Sequence, residues 1–254
     1  MRMPDMKIKP WIARQYSLTA EAMRMIPWWV SVMFVLSVIA MNLLASKCIV
    51  SRPYLALDAG ILVSWISFLS MDLVVKIYGK QAANRLVLVA IAGNFFTALV
   101  FYLGASVPGT WSEATAFELQ QDAVNASLNA TIGGSWQVLF GSMIAFLSSS
   151  LLNNFLNSKI GKLFSRDTFA TFACRSYIST IAAQVFDNLV FAFLISKFFF
   201  NWSVMQCLMC SVAGAVFETF GEVVASPLGY YFYVTIQKRK APKCVTEGNE
   251  TSSP

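Results

Sequence analysis

The residues of this chain that could do chemistry are carboxylates and amides set inside long apolar runs. The clearest stretch is 68–85, where Asp72 and Lys76 lie four residues apart. At that spacing the two side chains share a helix face, acid first, which is the favourable order for an ion pair. An ionisable group at membrane depth is costly, so each is a functional-site candidate. The alternative is that both lie at a helix end and extend toward the interface.

Further polar side chains are spread along the other apolar segments. No single span could bury them against lipid, so we expect them to converge on an interior cavity. For a lone amide, a helix–helix hydrogen bond worth about 0.6–2 kcal/mol is an equally good explanation. The set comprises Asn42, Asp58, Asp72, Asn94, Ser148, Ser149, Ser150, Asn153, Asn154, Arg175, Gln184, Asp187, Asn188, Glu218 and Glu222.

The carboxylates in this set have different expected roles. Asp58 precedes an apolar run and is expected to cap the start of the second helix. Asp187 needs a partner, and Arg175 is more than three helical turns away, so a neighbouring helix or a ligand is expected. Glu218 and Glu222 share a helix face at four residues apart and would repel if both were charged. Pro227 follows and predicts a kink in the last helix, a device that many transporters use near a mid-membrane site.

The composition is that of a polytopic membrane protein. The chain has 254 residues, of which 57% are hydrophobic and 13% charged, whereas soluble domains carry about a quarter charged residues. The net charge of +6 comes from basic residues between apolar spans, which indicates membrane orientation rather than nucleic-acid binding. The chain has no histidine, which excludes Ser-His-Asp and Cys-His catalysis and any His-ligated metal.

Other enzyme signatures are missing from the sequence. It contains no Gly-Lys-Ser/Thr phosphate loop, so ATP hydrolysis by that route is excluded. The Tyr-Asp and Gly-x-Gly-Asp signatures of intramembrane aspartyl proteases are also absent. We therefore predict a protein that is not an enzyme and needs no cofactor or metal.

The hydropathy pattern predicts an all-α protein with six transmembrane helices. Each is near the ~20 residues that a bilayer core requires, and they are placed at 28–50, 57–79, 84–106, 134–159, 168–198 and 204–237. We expect a basic N-terminal segment over 1–26, a transporter domain over 27–237 and a disordered tail over 238–254. Residues 107–133 form an acidic loop. Most Lys and Arg residues fall on the opposite side from this loop, so both termini are expected in the cytoplasm.

Four stretches of the sequence resemble the queuosine precursor transporter family, also called the VUT family, of bacterial inner-membrane proteins with six spans. They are the Asn42 stretch 41–47, the Asp72 stretch 71–79 continuing to Arg85, the stretch 184–191 with Gln184 and Asp187, and 225–230 with Pro227. The resemblance implies import of a 7-deazaguanine base, a precursor of queuosine, for salvage into tRNA. It places Lys76, Arg85 and Pro227 in structural or gating roles.

Two positions depart from the family pattern and bear on the substrate. In the fourth helix, where the family usually carries Gln-x-x-Asp, this chain has Ser150 and Asn153. In the last helix, Glu218 stands where the family has a Lys. Replacing a cation by a carboxylate favours a base with a positively charged side arm, such as the aminomethyl base or queuine, over the neutral nitrile.

The residue types suit a guanine-like ligand. A carboxylate can accept the adjacent N–H and NH2 donors of such a base as a bidentate pair; Asp187 or Asp72 are the candidates, with Gln184 or Asn188 reaching the ring carbonyl. Stacking on an aromatic ring contributes about 1–3 kcal/mol per base, and Trp65, Phe68 and Tyr177 are the candidates. The predicted substrate-binding residues are Asp187, Gln184, Asp72, Asn188, Asn42, Glu218, Trp65 and Asn153.

Two other function classes remain open at this point. Six spans in a short chain are also typical of the substrate-capture subunit of an energy-coupling-factor importer, which depends on a partner ATPase. Its substrate would be another small heterocycle or a vitamin. A purely structural membrane protein would not need so many interior charges. The predicted partners are thus a small-molecule substrate and the lipid bilayer, with an ATPase partner left open.

Overall fold

The computed structural model describes residues 8–45, 47–134, 136–164, 168–199 and 201–240, and almost all of them are helical. Four of the described helices are long and apolar enough to cross a membrane, or five if a bent pair at the N-terminal end is one span. In chain order the elements are α1 Ile8–Met25, α2 Trp28–Leu44, β1 Cys48–Arg52, β2 Leu55–Asp58, α3 Ile61–Ser106, α4 Ser112–Thr115, α5 Gln121–Ile132, α6 Trp136–Gly161, α7 Phe169–Phe191, α8 Lys197–Phe199 and α9 Val204–Lys240.

The N-terminal part of the chain forms a bent helix pair. α1 and α2 meet at Pro27 with a bend of 111°. Pro27 lacks an amide hydrogen and its φ is fixed, so it ends one helix and begins the next at little cost. In α1, Trp11 and Tyr16 are exposed and Ala22 is buried. The segment predicted as a basic leader is therefore a helix from Ile8 onward.

A short β-hairpin connects α2 to α3. β1 and β2 pair antiparallel, with Val50 opposite Leu57 and Arg52 opposite Leu55. The predicted first span ran to residue 50 and the second began at 57. In the structure α2 ends earlier, at Leu44, and α3 begins later, at Ile61. Val50 and the β-branched and aliphatic residues around it suit a strand as well as a helix, which explains why hydropathy alone merged them with the spans.

α3 contains 46 residues and is broken at Gly79, where φ is 82° and ψ is 163°. L-residues rarely adopt this conformation, so glycine is required. The break separates two helical halves, 61–78 and 80–106. Asn153 of α6 donates to Asp72 at 2.8 Å, and the adjacent Asn154 donates to Asn84 at 2.9 Å. In a straight helix Asp72 and Asn84 would be about 18 Å apart, too far for neighbouring asparagines to reach both.

The acidic loop predicted over 107–133 is folded. It contains α4, a single 3₁₀ turn over Glu118–Gln120, and α5. Trp111 fastens the loop, since its backbone N–H donates to Asn125 at 2.9 Å and its indole N–H donates to Asn129 at 2.7 Å. These bonds between the loop start and α5 hold the loop as a compact cap.

α7 changes to a π-turn at Ala192–Ser196 before continuing into α8. Such turns widen a helix locally and are frequent at functional sites. The turn packs against Gly141 of α6, where an added Cβ would lie 2.4 Å from Ile195. Glycine at 141 therefore permits the close approach of the two helices.

Pro227, the residue expected to kink the last helix, lies inside α9. Proline lacks the amide that would donate to the carbonyl of Val223. The hydroxyl of Ser226 donates to that carbonyl instead, at 2.9 Å. The freed backbone acceptor is thus satisfied by the neighbouring side chain, as membrane helices require.

The apolar core of the protein packs beside its buried polar residues. Phe146 of α6 contacts Phe34 of α2 and Phe68 of α3, with ring centroids 6.3 and 6.5 Å apart. Many large apolar side chains on the outer faces are exposed, among them Phe96 and Phe220. Outward apolar faces around a polar interior are expected of a protein that spans a bilayer. The tail predicted as disordered, beyond residue 240, lies outside the described residues.

Candidate functional site

A cavity of about 530 Å³ lies at one end of the helix bundle. This volume is within the range of about 300–1,000 Å³ typical of ligand pockets. The cavity is enclosed by the ends of α2, α3, α6, α7 and α9, and the hairpin and α5 contribute to its wall. Its polar lining residues include Asn42, Asp58, Asn94, Thr97, Thr131, Ser142, Asn188, Ser196, Ser211 and Glu218, and its aromatic ones are Phe101, Phe191 and Trp202.

Glu218 and Asn188 form the central polar pair of the cavity. The side-chain amide of Asn188 lies 3.3 Å from Glu218 Oε2 and 3.4 Å from the carbonyl of Ser211, and can donate to both. Gly214 makes room for this contact, because an added Cβ would lie 3.0 Å from Asn188 Nδ2. The Glu218 carboxylate is therefore held in place by α7 while it remains part of the cavity wall.

Two further groups complete the polar face. Asn94 of α3 is 4% exposed, and its Nδ2 has no hydrogen-bond partner among the described residues. A buried amide donor without a partner is costly, so Asn94 is ready to donate to a ligand. Asp58 Oδ1 accepts from the backbone N–H of Gly60 at 2.7 Å, at the entry to α3, where a capping role was predicted.

Asn42 both lines the cavity and links two helices. Its Oδ1 accepts from Ser142 of α6 at 2.5 Å, and its Nδ2 donates to the carbonyl of Val38 at 3.1 Å. The amide thus makes the helix–helix bond considered from the sequence. It lies at the cavity wall as well.

Asp187 and Gln184 lie next to the cavity without being part of its lining. Asp187 accepts from Ser149 of α6 at 2.6 Å, so its partner is a neighbouring helix. It is close enough to Glu218 to interact electrostatically. Gln184 is 1% exposed, and its Nε2 has no hydrogen-bond partner in the part of the chain that the structure describes.

A second polar cluster is buried deeper in the bundle. Asp72 of α3 accepts from Asn153 of α6 and from Ser176 of α7. Ser176 Oγ also lies 2.5 Å from Glu222 Oε1 of α9. All four side chains are at most 1% exposed. The predicted site residues therefore divide into two sets. One set lines the cavity around Glu218, and the other is the Asp72 cluster, formed by Asp72, Asn153, Ser176 and Glu222.

Two cationic residues, Lys76 and Arg175, lie on the same helices as the Asp72 cluster. Lys76 Nζ sits 4.2 Å from the ring centroid of Tyr233 and 5.0 Å from that of Phe172, a favourable arrangement for a cation. Arg175 donates two hydrogen bonds to Asn157 Oδ1, at 2.6 and 2.9 Å. The predicted gating residue Arg85 is half-buried in the second half of α3.

The predicted stacking residues are placed away from the cavity. Trp65 donates to the carbonyl of Leu62 at 2.9 Å and packs against Gly221. Phe68 belongs to the core, and Tyr177 shares a 2.6 Å hydrogen bond with Ser226.

The matching family model, described as "Putative vitamin uptake transporter", covers residues 58–232. The chain belongs to this transporter family. A search of curated proteins and a search of solved structures found no match. The matched range begins at Asp58 and ends within α9, so it includes both polar clusters apart from Asn42. Membership of a transporter family and the presence of several long apolar helices both indicate a multi-pass membrane protein.

Some residues of this family member could not be singled out from the sequence. Ser176 bridges side chains that are 104 and 46 residues away in the chain, and serine is common in membrane helices. Phe101, Phe191 and Trp202 line the cavity because of the packing at the helix ends. The sequence indicated only that these three aromatic residues lie near the ends of the predicted spans on the side with few Lys and Arg residues.

Proposed function

We propose that this protein imports a queuosine precursor, a 7-deazaguanine base or queuine, across the bacterial inner membrane for salvage into tRNA. The observation that carries the proposal is the cavity with Glu218 in its wall. Membership of a transporter family supports the transport function, and the four sequence stretches described above support the substrate class.

Glu218 is the carboxylate best placed to recognise the base. It can accept the adjacent N–H and NH2 donors of a guanine-like ring as a bidentate pair. Asn94 can donate to the ring carbonyl, since its Nδ2 has no partner among the described residues. Phe101, Phe191 or Trp202 offer ring faces for stacking, worth about 1–3 kcal/mol per base. Asp187 lies close to Glu218 and adds negative charge beside it, and Asp72 has a separate role.

The charge of the cavity favours a base with a cationic side arm. The described lining residues include the carboxylates Asp58 and Glu218 and no Lys or Arg. An aminomethyl arm or the secondary amine of queuine would be attracted, whereas a neutral nitrile would gain nothing from these charges. The order of preference should therefore be aminomethyl base or queuine first and nitrile last.

We further propose six spans with both termini in the cytoplasm. In this arrangement α3 doubles back at Gly79 and Lys80, and its two halves supply two spans. The basic residues at this turn and after α6 agree with a cytoplasmic position. The cavity would then open on the side of the acidic loop, where an importer receives its substrate.

The experiment is a salvage assay in a bacterium that can neither make queuosine nor import its precursors. Each base is supplied at low concentration, and queuosine in tRNA is read by boronate-gel mobility. The wild type should restore modification, and Glu218→Gln and Asp187→Asn should reduce it. Glu118→Gln, which changes an exposed carboxylate of the acidic loop, is the matched control and should behave like the wild type.

The side-arm preference is tested with Asp58→Asn in the same assay, because this change removes a charge from the cavity and leaves the ring acceptor Glu218 in place. Modification from the aminomethyl base should fall relative to that from the nitrile base. An unchanged ratio would remove the charge argument. No modification from any base, by a protein shown to be in the membrane, would contradict the substrate assignment.

The family description favours one alternative, uptake of a vitamin or another small heterocycle, either alone or with a partner ATPase. Affinity purification of the tagged protein from its native membrane separates these cases. An ATPase recovered in stoichiometric amount would identify a substrate-capture subunit.

A further inference from the structure

The Asp72 cluster joins three helices through the hydroxyl of Ser176. Ser176 Oγ of α7 is hydrogen-bonded to Asp72 Oδ2 of α3 and lies 2.5 Å from Glu222 Oε1 of α9. Asn153 donates to the other oxygen of Asp72 at 2.8 Å. Glu222 is 0% exposed, and its Oε2 has no hydrogen-bond partner among the described residues.

Counting hydrogens shows that this arrangement holds a proton. A serine hydroxyl has one hydrogen and can donate it to one acceptor. If both carboxyls were ionised, the remaining contact would bring two oxygen atoms together without a hydrogen between them. A proton on Asp72 or Glu222 supplies the missing hydrogen, either to Ser176 or directly between the two carboxyls. A cation beside the pair would not supply the missing hydrogen at the second oxygen.

Several charged or titratable groups lie on the packed helices around the pair. They include Lys76, Tyr78, Lys80 and Arg85 on α3, Lys159 on α6, Cys174, Arg175, Tyr177 and Asp187 on α7, and Glu218, Tyr230 and Tyr233 on α9. The nearest are Arg175, which is electrostatically coupled to Asp72, and Lys76, one helical turn from it. From α6 the direct contact to Asp72 is the amide of Asn153. The pair is thus shielded from water and interacts with the cation Arg175.

The position of the pair relates it to the cavity. Glu222 is one helical turn beyond Glu218 on α9, and Asp72 lies about 10 Å before the turn at Gly79. The pair therefore lies between the cavity and the basic side of the bundle. The link Asp72–Ser176–Glu222 fastens α3, α7 and α9 together on the route that a substrate leaving the cavity would take.

We propose that Asp72, Ser176 and Glu222 are the proton site that couples this importer to a proton gradient. The site also forms the inner closure of the cavity. This inference rests on the transport function proposed above. With the proton bound, the three side chains hold the helices together, as in this structure. Loss of the proton leaves two carboxylates competing for one hydroxyl hydrogen, so the link weakens and the cavity opens to the cytoplasm.

Each cycle moves one proton with one molecule of base. The proton binds one carboxyl while the cavity faces the outer side, forming an O–H bond. It leaves to cytoplasmic water when the closure opens, and that O–H bond breaks heterolytically with the electron pair staying on the carboxylate. No other bond changes. The empty, deprotonated carrier turns back to face the outer side, where a proton from that side restores the link.

The test compares two activities of the purified protein in liposomes, with radiolabelled 7-aminomethyl-7-deazaguanine and the membrane potential clamped at zero. Exchange measures labelled base entering against unlabelled base inside and needs no net proton movement. Accumulation measures uptake driven by a pH difference, acid outside. One proton per base predicts about tenfold accumulation for each unit of pH difference.

The decisive variant is Glu222→Gln, which keeps a hydrogen-bonding group of similar size and cannot release a proton. We expect it to bind base from the outer side but neither to exchange nor to accumulate it, because its inner closure stays bonded. Glu118→Gln should accumulate base like the wild type. A Glu222→Gln protein that still accumulates base to the wild-type level would overturn the proposal.

Two wild-type results keep the two proposals apart. Exchange without accumulation under a pH difference would refute the proton site and leave the transport function standing. No exchange of any 7-deazaguanine base would refute the transport function instead. If Glu222→Gln does not reach the membrane, a pH electrode in weakly buffered wild-type liposomes decides. Adding base should make the outer medium more alkaline, and no change would count against coupling.

Discussion

Replacing Gly79 by alanine tests how the two halves of α3 are joined. At φ 82° and ψ 163° an L-residue is strained, and an added Cβ would meet nothing within 4 Å. The cost is therefore conformational alone, about 1–3 kcal/mol. For a protein of this size that corresponds to a fall of roughly 2–12 °C in the unfolding midpoint, at about 2–4 °C per kcal/mol.

Gly104→Ala is the matched control, because it also meets nothing within 4 Å but lies at a helical position of α3. Alanine is a better helix former than glycine by up to about 1 kcal/mol, so this variant should be neutral or more stable. Both proteins are purified in the same detergent and unfolded thermally with a fluorescence readout. Equal midpoints for the two variants would refute the reasoning that Gly79 is required by its backbone conformation.

Two further substitutions follow from single contacts. Ser226→Ala leaves the carbonyl of Val223 without its donor and should destabilise the protein by about 1–3 kcal/mol. In a Pro227→Ala background the restored amide should reduce that cost, and a double-mutant cycle of thermal stability with no coupling would contradict this. Gly214→Ala should displace Asn188 from Glu218 and weaken base binding by about 0.5–1.5 kcal/mol, or roughly two- to twelvefold; titration calorimetry measures the change, and an unaltered affinity would show that Asn188 can shift without loss.

Long apolar runs predicted the later helices well. α6, α7 and α9 begin within two residues of the predicted starts at 134, 168 and 204, because hydropathy and length decide a membrane span. The hairpin at Cys48–Asp58 was missed, since a short apolar strand and a helix end have the same composition. The folded acidic loop was missed because its fastening residue, Trp111, bonds to asparagines fourteen and eighteen residues away.

The polar residues were predicted as a set, but their grouping was not. Burial cost alone indicates that carboxylates such as Asp72 and Glu218 face the interior. It cannot tell that Asp72 contacts Ser176 while Glu218 contacts Asn188, because both contacts depend on how distant helices pack. Gly79 was visible as a turn residue. The separate spans predicted at 57–79 and 84–106 already implied a turn between them, and the backbone break lies at Gly79.

The most direct test of the central claim, that the cavity binds a 7-deazaguanine base through Glu218, is a binding measurement on the purified protein. Titration calorimetry with 7-aminomethyl-7-deazaguanine should give saturable binding at one site. Glu218→Gln removes charge-assisted hydrogen bonds worth about 1.5–3 kcal/mol, so its Kd should rise roughly 10- to 150-fold, while Glu118→Gln should bind like the wild type. Binding of equal strength by Glu218→Gln and the wild type would contradict the account, and so would the absence of binding to the wild type.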